Sequence, residues 1–305
     1  MLIAVSVDME GASQLRSVRE IFGCMPEYWE TGKPRLEADV AAACEGLLAG
    51  GASELVVLDN HGGNTVNVSP ESLPPDARLE TWNVYDLREH GVDAMFQVGY
   101  HARGGVDGFL SHTYLPGLRL RVGSELISES HGRAWAAEVP LLGIVGNDLH
   151  QQTLGSLERT PYLVVQESIG RDAMRPVFAN PQDGLDAIRS FAQATVRDGA
   201  SAPAIAAPAG ASWARVGDVE FAVELDTWRD SRGPLAAAMN AALAPFIPHW
   251  LSGFASADEA DAADQERVGQ LVTIFDAWAA ESHPQWYTEA ADPFPTGVAE
   301  RLGAV

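Results

Sequence analysis

The sequence is poor in the residues that build disulfide frameworks and cysteine-ligated zinc sites. Only two of its 305 residues are cysteines, Cys24 and Cys44, and they form no CxxC pair. This count excludes a disulfide-rich scaffold and a four-cysteine metal site. Cys44 falls on the apolar side of a predicted helix, so we expect a buried thiol at that position.

Basic charge is also scarce. Lys33 is the only lysine, and 20 basic residues stand against 42 acidic ones, which gives a formal net charge of −22. Nucleic acids and anionic membranes would repel so acidic a surface, and we expect neither as a partner.

Long apolar runs are missing as well. No stretch approaches the ~20 apolar residues that a membrane span requires. The apolar start lacks a basic segment and reaches a charged residue at Asp8, so we do not expect a signal peptide. These features predict a cytoplasmic protein.

Several common catalytic motifs are absent. The sequence has no GxGxxG after its first predicted strand, no GxxxxGK[ST], no GxSxG and no HExxH. Their absence argues against a dinucleotide-dependent dehydrogenase, a P-loop enzyme and a serine hydrolase of the usual type.

What the sequence does have is a regular alternation of short apolar runs with segments of helical periodicity. This alternation predicts an α/β fold of three layers, with a mostly parallel sheet and helices on both faces. The predicted strands are Leu2–Val7, Leu55–Leu58, Ala94–Tyr100, Gly108–Leu110, Leu118–Val122, Leu141–Val145, Tyr162–Gln166 and Val219–Leu225. Helices are predicted over 36–48, from about Ser128 to before Pro140, and over 185–196.

A stretch rich in alanine, proline and glycine, DGASAPAIAAPAGA, follows the last of these helices. Such a composition is typical of a linker or a surface crossing. We therefore predict an α/β domain over residues 1–198. Residues 199–305 are predicted to form a smaller α/β portion.

Two carboxylates, Asp8 and Glu10, follow the first predicted strand in MLIAVSVDMEG. Side chains two residues apart on an extended chain point to the same side. Like charges that close repel each other, and each loses favourable hydration when it is buried. We therefore expect either solvent or a cation between them.

Histidines follow further predicted strands, at positions 61, 101 and 112, and a glutamate lies near the start of the next helix. Parallel strands bring such residues to one edge of a sheet, where ligands of α/β proteins bind. Imidazole and carboxylate together suit zinc or a similar divalent ion, and a carboxylate pair flanked by histidines could hold two ions about 3.5–4 Å apart. The other histidines, including His131 and His150, are predicted to be surface or structural residues.

Four ordered motifs, SVDMEG, LDNHGG, GYHARGG and LSHTY, resemble those of the zinc-dependent D-aminopeptidase family of metallopeptidases. The segment QESIGR is similar to a further family segment, although a lysine is common in the family where Gln166 stands. The resemblance covers about residues 1–198 and fades after residue 212.

The resemblance implies a dinuclear zinc site and a homo-oligomeric assembly. It implies that residues 1–198 are the metal-binding catalytic domain and that the divergent portion, residues 199–305, contributes to the pocket and to oligomerisation. It implies that Asp8 bridges the two metals, that Glu10, His61 and His101 are ligands, and that His112 is the catalytic nucleophile. The last ligand is a glutamate at the start of a helix, for which Glu125 and Glu129 are the candidates. The spacing from His112 favours Glu129, where the positive end of a helix dipole would stabilise a carboxylate.

We therefore predict a metal-dependent aminopeptidase that cleaves an amide or peptide bond in a small substrate, with two zinc ions, or manganese instead, as cofactors. General acid/base catalysis is as compatible with His112 as nucleophilic attack. Two alternatives remain open at this stage. The first is a dinuclear metal amidohydrolase that acts on a small non-peptide amide. The second is a metal-containing α/β binding protein without activity.

Overall fold

A computed structural model describes residues 1–21, 27–61, 66–82, 84–113, 118–170, 173–199, 203–206, 212–216 and 219–223. Most of the predicted C-terminal portion lies outside these ranges. The predicted division at residue 198 therefore stays a prediction.

Eleven strands lie in the described part of the chain. In chain order they are β1 (Leu2–Val7), β2 (Glu54–Asp59), β3 (Ala77–Glu80), β4 (Ala94–Tyr100), β5 (Leu118–Val122), β6 (Glu125–Ile127), β7 (Leu141–Asn147), β8 (Tyr162–Ser168), β9 (Met174–Pro176), β10 (Ser212–Val216) and β11 (Val219–Val223). Seven of them form one sheet in the order β3-β2-β1-β4-β7-β8-β9. Only β9 runs antiparallel to its neighbour, β8.

The α-helices are α1 (Lys33–Gly50), α2 (Glu129–Ala137), α3 (Asp148–Gln151) and α4 (Pro181–Gly199). Helix α1 ends where Gly51 adopts a left-handed conformation. The N–H of Gly51 donates hydrogen bonds to the carbonyls of Leu47 and Leu48. A π-helical turn, Tyr28–Gly32, leads into α1, and four short 3₁₀ turns lie elsewhere in the described chain.

Alternate residues of each central strand enter two separate cores. Ile3 and Val5 of β1 pack with residues of α1 and α4 in one core, such as Leu36 and Ile188. Ala4 faces the opposite core, which includes residues of α2. Because both faces are covered, the strands are continuous apolar runs rather than alternating ones. The predicted three-layer α/β fold is confirmed.

A second, antiparallel sheet has the order β11-β10-β5-β6. Strand β10 pairs with β5, so residues after position 198 share a sheet with residues of the first predicted domain. Strand β6 leads directly into α2, which places the start of that helix at the junction of the two sheets.

One predicted strand is wrong. Residues Gly108–Leu110 form part of a turn, because Leu110 adopts a φ of +40°, which is incompatible with an extended strand. Four strands, β3, β6, β9 and β10, were not predicted. Among the described residues no helix is long and apolar enough to cross a bilayer.

Candidate metal centre

The polar residues predicted at strand ends meet at the carboxyl edge of the central strands. Asp8 directly follows β1, His101 directly follows β4, and His61 lies two residues beyond β2. Since β1 lies between β2 and β4 in the sheet, Asp8 stands between the two histidines. Glu129, the first residue of α2, approaches from the side of His101.

Two groups of potential ligand atoms share Asp8. In the first, which we call the His61 group, His61 Nδ1 lies 3.4 Å from Asp8 Oδ1 and 3.2 Å from Glu10 Oε2. In the second, the His101 group, His101 Nε2 lies 3.5 Å from Asp8 Oδ2 and 3.8 Å from Glu129 Oε1. Asp8 thus presents one carboxylate oxygen to each group.

His112 lies beside both groups. Its Nε2 atom is 3.8 Å from Glu10 Oε1 and 3.6 Å from Glu129 Oε1. Its ring stacks on that of His101, with centroids 4.2 Å apart and planes inclined by 17°. With Glu10 and His101 it forms a third set of atoms close enough to share an ion. At 15% side-chain exposure it is more accessible than His61 or His101, at 5% and 1%.

Each of the three rings is oriented by a backbone carbonyl. His61 Nε2 lies 3.3 Å from Ile21 O, and His101 Nδ1 lies 3.0 Å from Ala102 O. His112 Nδ1 lies 2.6 Å from Leu110 O. A carbonyl oxygen can only accept, so these ring nitrogens donate. The second nitrogen of each ring faces the carboxylates, which is the usual arrangement of a metal-ligating histidine.

The centre contains acceptors that lack donors. Asp8 Oδ2, Glu10 Oε2 and His101 Nε2 are buried and have no hydrogen-bond partner among the described residues. Buried polar atoms are normally paired, because an unpaired one costs about 1–3 kcal/mol. Carboxylate oxygens and imidazole nitrogens that converge without hydrogen-bond donors are the ligand atoms that zinc binds. The residues present therefore fit a divalent cation.

The electrostatics point the same way. Burial raises the pKa of Asp8, but the neighbouring imidazoles of His101 and His61 outweigh burial and hold the pKa well below its usual value. Burial lowers the pKa of His101, but the charges of Glu10 and Asp8 outweigh it and raise the pKa to about 10. The buried carboxylates thus stabilise positive charge strongly, whether a proton or a cation supplies it.

Glu129, rather than Glu125, belongs to the centre. The Glu125 carboxylate points away, where Oε1 accepts a hydrogen bond of 2.6 Å from Ser156 N and lies 3.4 Å from His131 Nε2. Glu129 is 5% exposed and contributes to the His101 group.

Buried polar groups hold the first turn of α2. The N–H and hydroxyl of Ser128 lie 3.1 and 2.8 Å from His131 Nδ1, and the hydroxyl is also 3.2 Å from His150 Nε2. His150 Nδ1 in turn lies 3.0 Å from Tyr162 Oη on β8. Burial lowers the pKa of His131 to about 4 and that of His150 well below its usual value. Burial thus favours the neutral form of both histidines, and their contacts hold Ser128, the residue directly before Glu129.

The loop that carries His112 is also anchored. Phe109 N donates a hydrogen bond of 2.6 Å to Ser168 Oγ, within the QESIGR segment, and Thr113 Oγ1 donates one of 3.1 Å to Ile127 O. Leu110 adopts its left-handed φ here, which directs its carbonyl at the His112 ring. Such local strain is typical of functional sites. Gln166, in the same segment, donates a hydrogen bond of 3.0 Å to Ala12 O.

Two strand ends approach each other unusually closely beneath the centre. Asp8 N donates to Val98 O at 2.8 Å, and Gly99 follows with a φ of +80°. A Cβ atom at position 99 would lie 1.9 Å from Asp8 O. Only glycine allows the backbone that carries Asp8 to lie so close to β4.

Sequence reasoning missed Arg133. This residue of α2 is 8% exposed, and its Nη2 atom donates to Glu129 Oε2 at 2.9 Å and to Asn60 O at 3.1 Å. The signal was available, since Glu129 and Arg133 have the i, i+4 spacing of a helical ion pair.

Comparisons with known proteins bear on the fold and the family of the chain. A D-aminopeptidase from Bacillus subtilis (strain 168) is 27% identical over 186 residues, which cover 57% of this chain and 67% of that protein. A solved structure of the zinc-dependent D-aminopeptidase DppA from Bacillus subtilis, described as a self-compartmentalizing protease, superimposes with a TM-score of 0.63. It is 21% identical, over 71% of this chain and 81% of that one, and shows the shared fold. The peptidase M55 family profile, described as D-aminopeptidase, matches residues 1–227. The chain therefore belongs to the D-aminopeptidase family of peptidases.

Proposed function

We propose that this protein is a zinc-dependent aminopeptidase with a dinuclear centre. The observation that carries the proposal is the sharing of Asp8 between the His61 group and the His101 group. A single carboxylate that offers one oxygen to each of two ligand sets is the arrangement expected of a bridging ligand.

In this proposal Glu10 and His61 complete one ion's ligand set, and His101 and Glu129 complete the other's. Zinc supplies Lewis acidity toward a scissile carbonyl and toward water when it is bound. The zinc dependence of DppA supports zinc as the metal. Manganese, which also accepts imidazole and carboxylate ligands, is the alternative that metal analysis would reveal.

His112 moves the proton. Its Nδ1–H is held by Leu110 O at 2.6 Å, so Nε2 is the nitrogen that faces the centre. An imidazole with a free nitrogen at the rim of a buried carboxylate cluster can take a proton from the attacking group and return it to the leaving amine. The stacking on His101 limits rotation of the ring and keeps Nε2 aimed at the reacting atoms.

We propose peptides with a free amino terminus as substrates, and D-aminoacyl compounds first among them. Both the family and the relative from Bacillus subtilis support this substrate class. Because the family match ends at residue 227, non-peptide amides belong among the substrates to be tested. We also propose a homo-oligomer, as the self-compartmentalizing DppA suggests, and light scattering after size-exclusion chromatography would measure its mass.

Metal analysis of the purified protein tests the centre. We expect about two zinc ions per chain, and activation of the metal-free protein by added zinc. Far fewer than one divalent ion per chain, with no activation by zinc or manganese, would refute the proposal. A panel of D-aminoacyl amides, L-aminoacyl amides and non-peptide amides then identifies the substrate, and activity on the last class alone would favour the amidohydrolase alternative.

His112→Ala separates catalysis from metal binding. We expect zinc content to be retained and hydrolysis to fall by about 10²–10⁴-fold, the usual contribution of a general acid/base. His90→Ala is the control, because His90 is exposed, stacks on Trp82 with ring centroids 4.0 Å apart, and belongs to none of the ligand groups. Loss of zinc from His112→Ala would instead identify His112 as a ligand.

A further inference from the structure

Arg133 is an arginine buried at the centre's edge in a chain with few basic residues. Its side chain is 10% exposed, and it stands one helical turn after Glu129 on α2. An arginine is rarely buried unless its charge is compensated, and Glu129 compensates it here.

The guanidinium joins the two ligand groups. Nη2 carries two hydrogens, and it donates one to Glu129 Oε2 at 2.9 Å and the other to Asn60 O at 3.1 Å. Glu129 belongs to the His101 group, whereas Asn60 directly precedes His61 of the other group. One nitrogen atom therefore connects the loop after β2 with the start of α2.

This contact also decides which oxygen Glu129 can offer. Oε2 is occupied by Arg133, while Oε1 lies 3.8 Å from His101 Nε2 and 3.6 Å from His112 Nε2. The carboxylate is thereby aimed at the centre through a single oxygen. A lysine would be a poorer substitute, because its ammonium is a compact point charge without the rigid planar fork of a guanidinium.

We propose that Arg133 is a positioning residue that aligns Glu129 for its metal and couples the His101 group to the His61 group. The inference rests on the proposed dinuclear function. Arg133 contacts a ligand and the residue before another ligand, so it acts through both of them.

Zinc titration of the metal-free full-length protein against a competing chelator tests the proposal. For Arg133→Met we expect the zinc ion of the His101 group to bind about 10- to 100-fold more weakly. This is the usual effect of losing a residue that orients a ligand. Arg133→Lys should recover part of that affinity. Arg88→Met is the control, because Arg88 is 73% exposed and pairs with Glu138 just beyond the other end of α2.

A double-mutant cycle with Glu129→Gln shows whether Arg133 acts through Glu129. If it does, Arg133→Met should change zinc affinity by less than about twofold in the Glu129→Gln background, since the two effects share one interaction. Equal zinc affinities for wild type and Arg133→Met, with both proteins folded by circular dichroism, would overturn the proposal. Full additivity in the cycle would overturn it as well.

If Arg133→Met does not fold, the same cycle is measured with Arg133→Lys, whose affinity must then lie below that of wild type. The two proposals fail differently. A wild type that binds no zinc refutes the dinuclear function, whereas two zinc ions bound with equal strength by wild type and both Arg133 variants refute only the role of Arg133.

Discussion

Replacing Gly99 by alanine should damage the centre without replacing any predicted ligand. The new Cβ would lie 1.9 Å from Asp8 O, whereas ordinary contact begins at 3.4 Å, so the two backbones must separate by about 1.5 Å. The left-handed φ of +80° adds about 1–2 kcal/mol for a residue with a side chain. Because Asp8 contributes an oxygen to both groups, its displacement should weaken both proposed metal sites, and a 1 Å misplacement can cost about 10²-fold in rate.

Gly91 provides a matched control for this variant. It has a similar φ of +74°, but a Cβ there meets nothing within 4 Å. Urea unfolding should show the conformational cost in both alanine variants. Only Gly99→Ala should also lose zinc affinity and hydrolytic activity, measured by chelator competition and by release of amine from a D-aminoacyl amide. Full zinc affinity and activity within about twofold of wild type in a folded Gly99→Ala protein would refute the reasoning.

Three further predictions concern stability. Chelation should lower the melting temperature, because zinc at about 1,000 times its Kd contributes about 4 kcal/mol, and an unchanged melting temperature would count against Asp8 as a ligand. Asp39 is fully buried, and burial raises its pKa from 3.8 to about 6 despite hydrogen bonds from Ser13. Its contribution to stability is therefore complete below pH ~4 and lost as the pH rises through 6, so Asp39→Asn should gain about 2 kcal/mol relative to wild type between pH 4 and pH 7 in urea titrations. Ser128→Ala should cost about 1–2 kcal/mol by removing the cap of α2, and an equal zinc affinity in that variant would show that the cap does not orient Glu129.

The central strands could be predicted because they bury both faces. The bounds predicted for β1 and β4 agree with the structure, since continuous apolar runs there end abruptly at Asp8 and His101. Strands β3, β6 and β9 have only three or four residues each. Their pairing comes from neighbours that are distant in the sequence, so a local pattern carries little signal for them. The apolar trio Gly108–Leu110 suggested a strand, but the conformation of Leu110 is dictated by the turn that presents its carbonyl to His112.

The candidate centre could be predicted from strand ends because parallel strands deliver their carboxyl ends to one edge. The helix dipole and the spacing from His112 favoured Glu129, and the structure places it with the other five residues. The supporting contacts could not be foreseen in the same way. Ser128, His131 and His150 come together only when β7, β8 and α2 are packed, which no single stretch of sequence encodes.

The carbonyls that hold the three imidazole rings bear on how the centre is filled. Ile21, Ala102 and Leu110 orient the rings through main-chain atoms, so the orientation is complete once the chain has folded. An arriving ion then meets imidazole nitrogens that are already oriented, and these rings require no further ordering. Loading can follow folding rather than drive it, so the apoprotein can persist as a folded acceptor. The rate of ion uptake would then be limited by access to the centre rather than by rearrangement of the rings.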